Sequence, residues 1–308
     1  MLARARDVRL VPKGVARVAD LVAAGGVQRP AWRVPPHWWD DGDPQATATY
    51  VLLLDALNFS FWGEPKWRVE WNGAVYDGYW ALAASLRRAL DAGEPLCDPT
   101  YLATRADAAR LLVGDDGTRI PLQRARQAAI REVGHGILHA CEGSFLRCVE
   151  QSGRSAAALV RLVAERFPSF RDVAEYEGRQ IPFYKRAQIL VSDLWGAFEG
   201  RGPGTFDDLD VLTMFADYKV PQVLHGLGAL AYSPALEAAL AAREVIPYGD
   251  PREVEIRAAS VQAVEAIRAA LDRRGLALDA FDLDWRLWVL GQGREWPLPY
   301  HRTRSVAY

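Results

Sequence analysis

The sequence predicts a mainly α-helical fold, and three observations carry that prediction. Apolar residues recur at three- and four-residue spacing through most of the chain. Paired short runs of alternating character occur in one brief segment only. Half of the 308 residues are hydrophobic and a quarter are charged, which supplies ample material for a buried core.

The β signal comes first along the chain. In Trp67 to Gly78, WRVEWNGAVYDG, two short runs flank Asn72-Gly73. That dipeptide favours the positive backbone angles of a tight hairpin turn, so a small β-hairpin is expected near 67–76. Helical spacing then covers residues 121–151 and 153–166. It returns over 182–199, with Pro182 expected in the first helical turn. From Pro251 to Arg274, Val254, Ala258, Val261, Val264, Ile267 and Leu271 can share one face. Leu278 to Leu290 reads as a further helix. The breaks at Gly114–Gly117, Gly200–Gly204 and Tyr248–Pro251 are too short for interdomain linkers, and no repeat or low-complexity tract is visible. One domain over 1–308 is expected, with room for two lobes around a central cleft.

Charge and composition exclude some functions. With 37 basic and 39 acidic residues the formal net charge is -2. A chain that grips long nucleic acid usually carries a basic surplus, whereas a single nucleotide requires none. No long apolar run suggests a membrane span. The opening MLARARDVRLVPKG has no apolar block of the secretory kind. Cys97, Cys141 and Cys148 form an odd, sparse set without a CxxC pair, which fits a reducing cytoplasm. Lysine is scarce: Lys13, Lys66, Lys185 and Lys219 are the only four. Lys185 and Lys219 stand out because they fall in the most unusual segments.

Four segments carry candidate chemistry. In LLLDALNFSFWGEPKW (Leu52 to Trp67), Asp55 and Asn58 lie three residues apart beside Phe59, Phe61 and Trp62. A carboxylate and an amide among aromatic faces can hold a flat heterocycle by its edge and stack its ring; equally, such aromatics can simply be core. In FPSFRDVAEYEGRQIPFYKRAQILVSDLWGAF (Phe167 to Phe198), Lys185 and Arg186 precede Asp193 on a helix. A lysine here can bind phosphate or hold a carboxylate ionised, or be a surface residue in a helical ion pair. In TMFADYKVPQVLHGLGALAY (Thr213 to Tyr232), Asp217 stands just before a helix with Pro221 in its first turn. The helix dipole would help keep it ionised, whether it acts on a ligand or merely caps. In LDWRLWVLGQGREWPLPYHRTRSVAY, Asp284 and Trp285 lie on a helix, and His301, Arg302 and Arg304 form a basic cluster suited to phosphate, or a frayed tail. Two further patterns carry less. His135 and His139 have a spacing that can share a metal, yet a zinc site needs more ligands. GRGPG at 200–204 follows no strand and reads as a loop.

Taken together, LDALNFSFW, FPSFRD, IPFYKRAQILVSDLW, MFADYKVPQVL, EIRAAS, LDWRLW and PYHRTR, in that order, resemble the queuosine salvage family of queuosine 5′-phosphate N-glycosylase/hydrolases. The resemblance runs from about residue 50 onward. It implies a cytoplasmic hydrolase, mainly helical and similar in fold to helix-hairpin-helix DNA glycosylases. That hydrolase would release queuine, a modified 7-deazaguanine, from its nucleotide. It also implies that Asp217 is the catalytic aspartate of the ADY-[RK]-VPQ block and that Lys185 is the lysine of PFYKRAQ. Lys219 stands where arginine is common, which keeps the charge and loses a bidentate fork.

Breaking an N-glycosidic bond passes through a sugar of oxocarbenium character, which a carboxylate can stabilise or trap. The expected roles are Asp217 and Lys185 for catalysis, and Asp55, Asn58, Phe59, Phe183, Phe215, Tyr218, Asp284 and Trp285 for the base. Arg186, Lys219, Tyr232, His301, Arg302 and Arg304 are expected at phosphate and ribose. Water is the second reactant, and the scheme requires no metal, no organic cofactor and no obligate protein partner. The rival expectations are a nucleic-acid base-excision glycosylase and a non-catalytic binder of modified nucleosides.

Overall fold

The computed structural model describes residues 4–28 and 31–308. In chain order its elements are β1 (Val8–Leu10), α1 (Pro12–Ala23), α2 (Pro44–Ala56), β2 (Arg68–Trp71), β3 (Ala74–Asp77), α3 (Gly78–Asp91), α4 (Pro99–Thr104), α5 (Ala108–Leu111) and α6 (Gln123–His135). There follow α7 (Phe145–Gln151), α8 (Ala156–Arg166), β4 (Val173–Tyr176), β5 (Arg179–Pro182), α9 (Lys185–Ala197), α10 (Lys219–Gly226), β6 (Leu230–Tyr232), α11 (Pro234–Ala241), α12 (Pro251–Asp272) and α13 (Ala280–Leu290). The mainly helical prediction therefore holds. Among the described residues no helix is long and apolar enough to cross a membrane.

Two main apolar cores organise these elements. The larger gathers α2, α3 and α6 to α9 around residues such as Tyr50, Leu53, Ile130, Leu159 and Leu190. The other gathers β1, α1 and α10 to α13 around Val18, Leu224, Ile256, Ile267 and Leu287. Helix α2 is buried from Ala46 to Ala56, because PQATATYVLLLDA has no charged face to turn to water. Its start is set locally: Asp43 accepts from the Gln45 N–H at 2.9 Å, with Pro44 next in line. The helix stops at Leu57, and the loop that follows bends through Ser60 at φ +44°.

The expected hairpin forms between β2 and β3, pairing Arg68 with Asp77 and Trp71 with Ala74. Asn72 and Gly73 both take positive φ, the geometry of a two-residue primed turn. A second hairpin was not expected. Strands β4 and β5 pair Val173 with Pro182 around Glu177 and Gly178, again both at positive φ. Pro182 therefore ends a strand, where its missing N–H is tolerated, and does not open α9. The helix begins at Lys185, after Tyr184 at φ +48°.

The expected helix over 121–151 is also divided. It runs as α6, continues through a π turn at Gly136–Ala140, and breaks at Glu142 and Gly143, both at positive φ. Across that break Cys141 and Cys148 are joined by a disulfide, a pairing that the sparse, CxxC-free cysteine set does not suggest. Only Cys97 is free.

Candidate active site

A cavity of about 540 Å³ opens between the two cores, a size that suits a small ligand such as a nucleotide. Six stretches line it: His37 in the segment before α2, the loop after α2, the junction of β3 and α3, the first turns of α9, the approach to α10, and α13 with the segment beyond it. Each brings a different chemical group.

Asp217 sits at the start of α10. Its Oδ1 accepts from the backbone N–H of Lys219 at 2.8 Å and of Val220 at 3.0 Å. These are donors that the first turn of a helix leaves without intrahelical partners. Burial pushes the carboxyl pKa up, and the Lys185 ammonium is the strongest opposing influence, followed by the two N–H groups. The dipole expected from sequence is thus present, but the net direction is upward. Lys185, the first residue of α9, extends its ammonium to the Asn58 carbonyl at 3.4 Å. Burial pushes its pKa down, and Asp217, Asp55 and Asp284 oppose that shift.

Two more carboxylates share the floor. Asp284 accepts from the Phe215 N–H at 3.1 Å, and burial followed by the charge of Asp217 raises its pKa well above the ordinary value. Asp193 accepts from the Trp32 indole at 3.0 Å. Phe59, Phe215, Tyr218, Trp285 and Trp288 supply aromatic wall. Around the opening, Lys66 and Arg294 are exposed and Lys219 is partly so. The Lys219 ammonium lies 5.7 Å from the centre of the Tyr300 ring, which itself packs on Tyr218. The cavity is thus acidic at its floor around one lysine and basic at its rim. Such an arrangement can hold an anion outside and a donor-rich ring inside.

The model of the family described as queuosine salvage protein matches residues 37–308. The chain belongs to the queuosine salvage protein family. It resembles proteins named queuosine 5′-phosphate N-glycosylase/hydrolase from several organisms. One from Sphaerobacter thermophilus is 54% identical over 99% of this chain and 94% of its own length. One from Mus musculus is 41% identical over 98% and 95%, and one from Bos taurus 40% identical over the same shares.

In this queuosine salvage protein the cavity unites Asn58, Phe59, Lys185, Phe215, Asp217, Tyr218, Lys219, Asp284 and Trp285, all expected from the sequence. Seven other expected residues do not line it. Asp55 is fully buried behind it, its pKa raised by burial and by Asp193. Phe183 packs beneath the Arg257 guanidinium. Arg186 turns away from its neighbour Lys185, as adjacent helical residues must, and donates to the carbonyls of Ala56 and Ser169. Tyr232 stacks on His225 with ring centres 4.4 Å apart. His301 is buried beside the Tyr308 hydroxyl, away from the cavity, and burial pushes its pKa down to about 3. Arg302 pairs with Glu64, and Arg304 covers the Trp62 ring.

Sequence reasoning missed His37, Lys66, Tyr79, Trp80, Trp288, Arg294 and Tyr300, which do line the cavity. His37 meets the Tyr79 hydroxyl through Nδ1, and burial pushes its pKa down to about 3. His135 and His139 merely stack, ring centres 6.0 Å apart. Among the described residues no group of three or more His, Cys, Asp or Glu side chains could hold a metal ion.

Proposed function

We propose that this chain hydrolyses the N-glycosidic bond of queuosine 5′-monophosphate, releasing queuine and ribose 5-phosphate. One observation carries the chemistry: a buried carboxylate, Asp217, held on two helix N–H groups and facing Lys185 in a nucleotide-sized, aromatic-walled cavity.

The reaction builds positive charge on the anomeric carbon of the ribose. Asp217 is the group that answers it, at a site where low dielectric makes a fixed charge more effective than in water. Lys185 opposes the upward push of burial on the Asp217 pKa and so favours the carboxylate form. Asp284 and Asn58 face the edge of the base, whose N–H groups a carboxylate accepts. Phe59, Phe215, Tyr218 and Trp285 enclose its ring. Lys219, expected at the phosphate from the sequence, is joined there by Lys66 and Arg294 around the opening, in place of Arg186, His301, Arg302 and Arg304. Water completes the hydrolysis. In this reading residues 1–308 act as one domain, two lobes of helix-hairpin-helix glycosylase kind around the cleft. The substrate is a free cytoplasmic nucleotide, not long nucleic acid, and no obligate protein partner is needed.

The test is to incubate the purified chain with queuosine 5′-monophosphate and separate the products. Queuine and ribose 5-phosphate should appear in equal amounts. Tight binding without base release would make the chain a nucleotide-binding protein instead.

A further inference from the structure

Outside the cavity, one fully buried ion pair touches both proposed catalytic residues through their backbone. Arg257, on α12, is 0% exposed and Asp172, just before β4, is 1% exposed. The guanidinium donates to Asp172 from both terminal nitrogens, at 3.0 and 2.5 Å, and from Nη1 also to the buried Glu253 at 3.4 Å. Its Nε donates separately to the Ala216 carbonyl at 2.9 Å, in the peptide that leads into Asp217. Asp172 in turn receives the start of α9. Its Oδ2 accepts from the Lys185 N–H at 3.1 Å, and its carbonyl accepts from the N–H groups of Phe183 and Tyr184 at 2.9 and 3.1 Å.

A buried ion pair rarely adds net stability, because removing two charges from water costs about as much as their attraction returns. This one joins the start of α9 to the approach to α10, and the guanidinium lies over the Phe183 and Tyr308 rings at 3.9 and 4.2 Å. Resting on the glycosidase reading above, we propose that Arg257 and Asp172 are positioning residues. Their fork fixes the Asp217 carboxylate and the Lys185 ammonium relative to each other. The planar fork is required, since only a guanidinium can donate from Nε to one acceptor and from its terminal nitrogens to another.

Arg257→Lys keeps the charge and removes the fork. Turnover should fall about 10- to 100-fold, the scale of a misplacement on the order of 1 Å. KM should stay within about threefold, because neither residue lines the cavity. Asp172→Asn should show the same split. Melting curves give the folded fraction, so turnover is counted per folded molecule. Should neither variant fold, Tyr248→Phe removes a single 3.0 Å bond to Asp172 Oδ1 from an exposed position, and turnover should drop about two- to fivefold at unchanged KM. A folded Arg257→Lys enzyme with wild-type turnover would overturn the proposal, as would an unaltered Tyr248→Phe enzyme if it alone folds. Because the wild-type chain is assayed alongside, absence of base release there defeats the glycosidase reading, while release with no mutant effect defeats only the positioning role.

Discussion

At the floor of the cavity Asp193, Asp217 and Asp284 surround a single lysine, whereas at its rim Lys66, Lys219 and Arg294 outnumber Asp77. The floor groups are buried, and burial displaces the pKa values of Asp217, Asp284 and Lys185. At the rim Lys66 stays in water and pairs with Asp77 at 3.1 Å. The difference teaches a division of labour. Charges that are costly to bury are useful where charge develops in a reaction. Solvated charges capture an anion with little effect on the chemical step.

That contrast can be broken or sharpened by substitution. The largest effect is expected at Asp217. Asp217→Asn retains an acceptor for the helix N–H groups and loses the charge, so turnover should drop at least ~100-fold in a protein that still melts cooperatively. Near-normal base release from the folded variant would remove Asp217 from the mechanism. Next comes Lys185→Met, with turnover lower by about 10- to 100-fold. Lys185 is the main influence holding the Asp217 pKa down. Its loss should move the acid limb of the pH–rate profile to higher pH, since activity that needs a carboxylate disappears as pH falls through the pKa. An unmoved limb would mean that the two residues do not interact.

At the rim, Lys219→Met should raise KM for queuosine 5′-monophosphate about tenfold, the scale of one charged hydrogen bond. KM for the unphosphorylated nucleoside should change less than about threefold. Equal effects on both substrates would separate Lys219 from the phosphate.

The floor also predicts a stability effect. The Asp284 pKa is raised well above the usual carboxylate range by burial and then by Asp217. The unfolded chain releases this proton at about pH 3.9. Stability should therefore fall as pH rises from there through the native value. Asp284→Asn removes that loss, while its side-chain oxygen can still accept from Phe215. The variant should gain on the order of 1 kcal/mol near pH 7.5 and progressively less toward pH 4. Denaturant melts at both pH values check it, and an identical offset would contradict the assignment. The smallest change is expected at Tyr232→Phe, outside the cavity, where turnover should stay within about twofold.

The floor was far more legible in the sequence than the rim. Asp217 and Lys185 stand at helix starts marked by rare local patterns, and Asp284 and Trp285 share one turn of an aromatic helix. The rim assembles from places distant in sequence, such as Lys66 before the hairpin, Tyr79 and Trp80 at the start of α3, and Arg294 beyond α13. No periodicity links them. One signal was present and unused: the scarcity of lysine that drew attention to Lys185 and Lys219 applies equally to Lys66. The misassigned arginines failed for a general reason. Arg186, Arg302 and Arg304 carry the right group for phosphate, but whether a guanidinium faces a cavity, a carbonyl or an indole is decided by tertiary packing. The missed hairpin at 173–182 has strands of the same four-residue length as the first, but turns on Glu177-Gly178 in place of the Asn-Gly dipeptide that marked the first.

The pairing of β1 with β6, Val8 opposite Tyr232, ties the beginning of the polypeptide to a point far downstream. The core formed by α1 and α10 to α13 is therefore discontinuous in chain order, while most of the other core is one uninterrupted stretch. On a ribosome, α1 emerges with its apolar face uncovered and waits for α12, its principal packing partner, until nearly all of the chain has been made. The interrupted half should consequently be the last to consolidate. Because Asp284 lies on α13, it can join Asp217 and Lys185 only once synthesis has passed that helix.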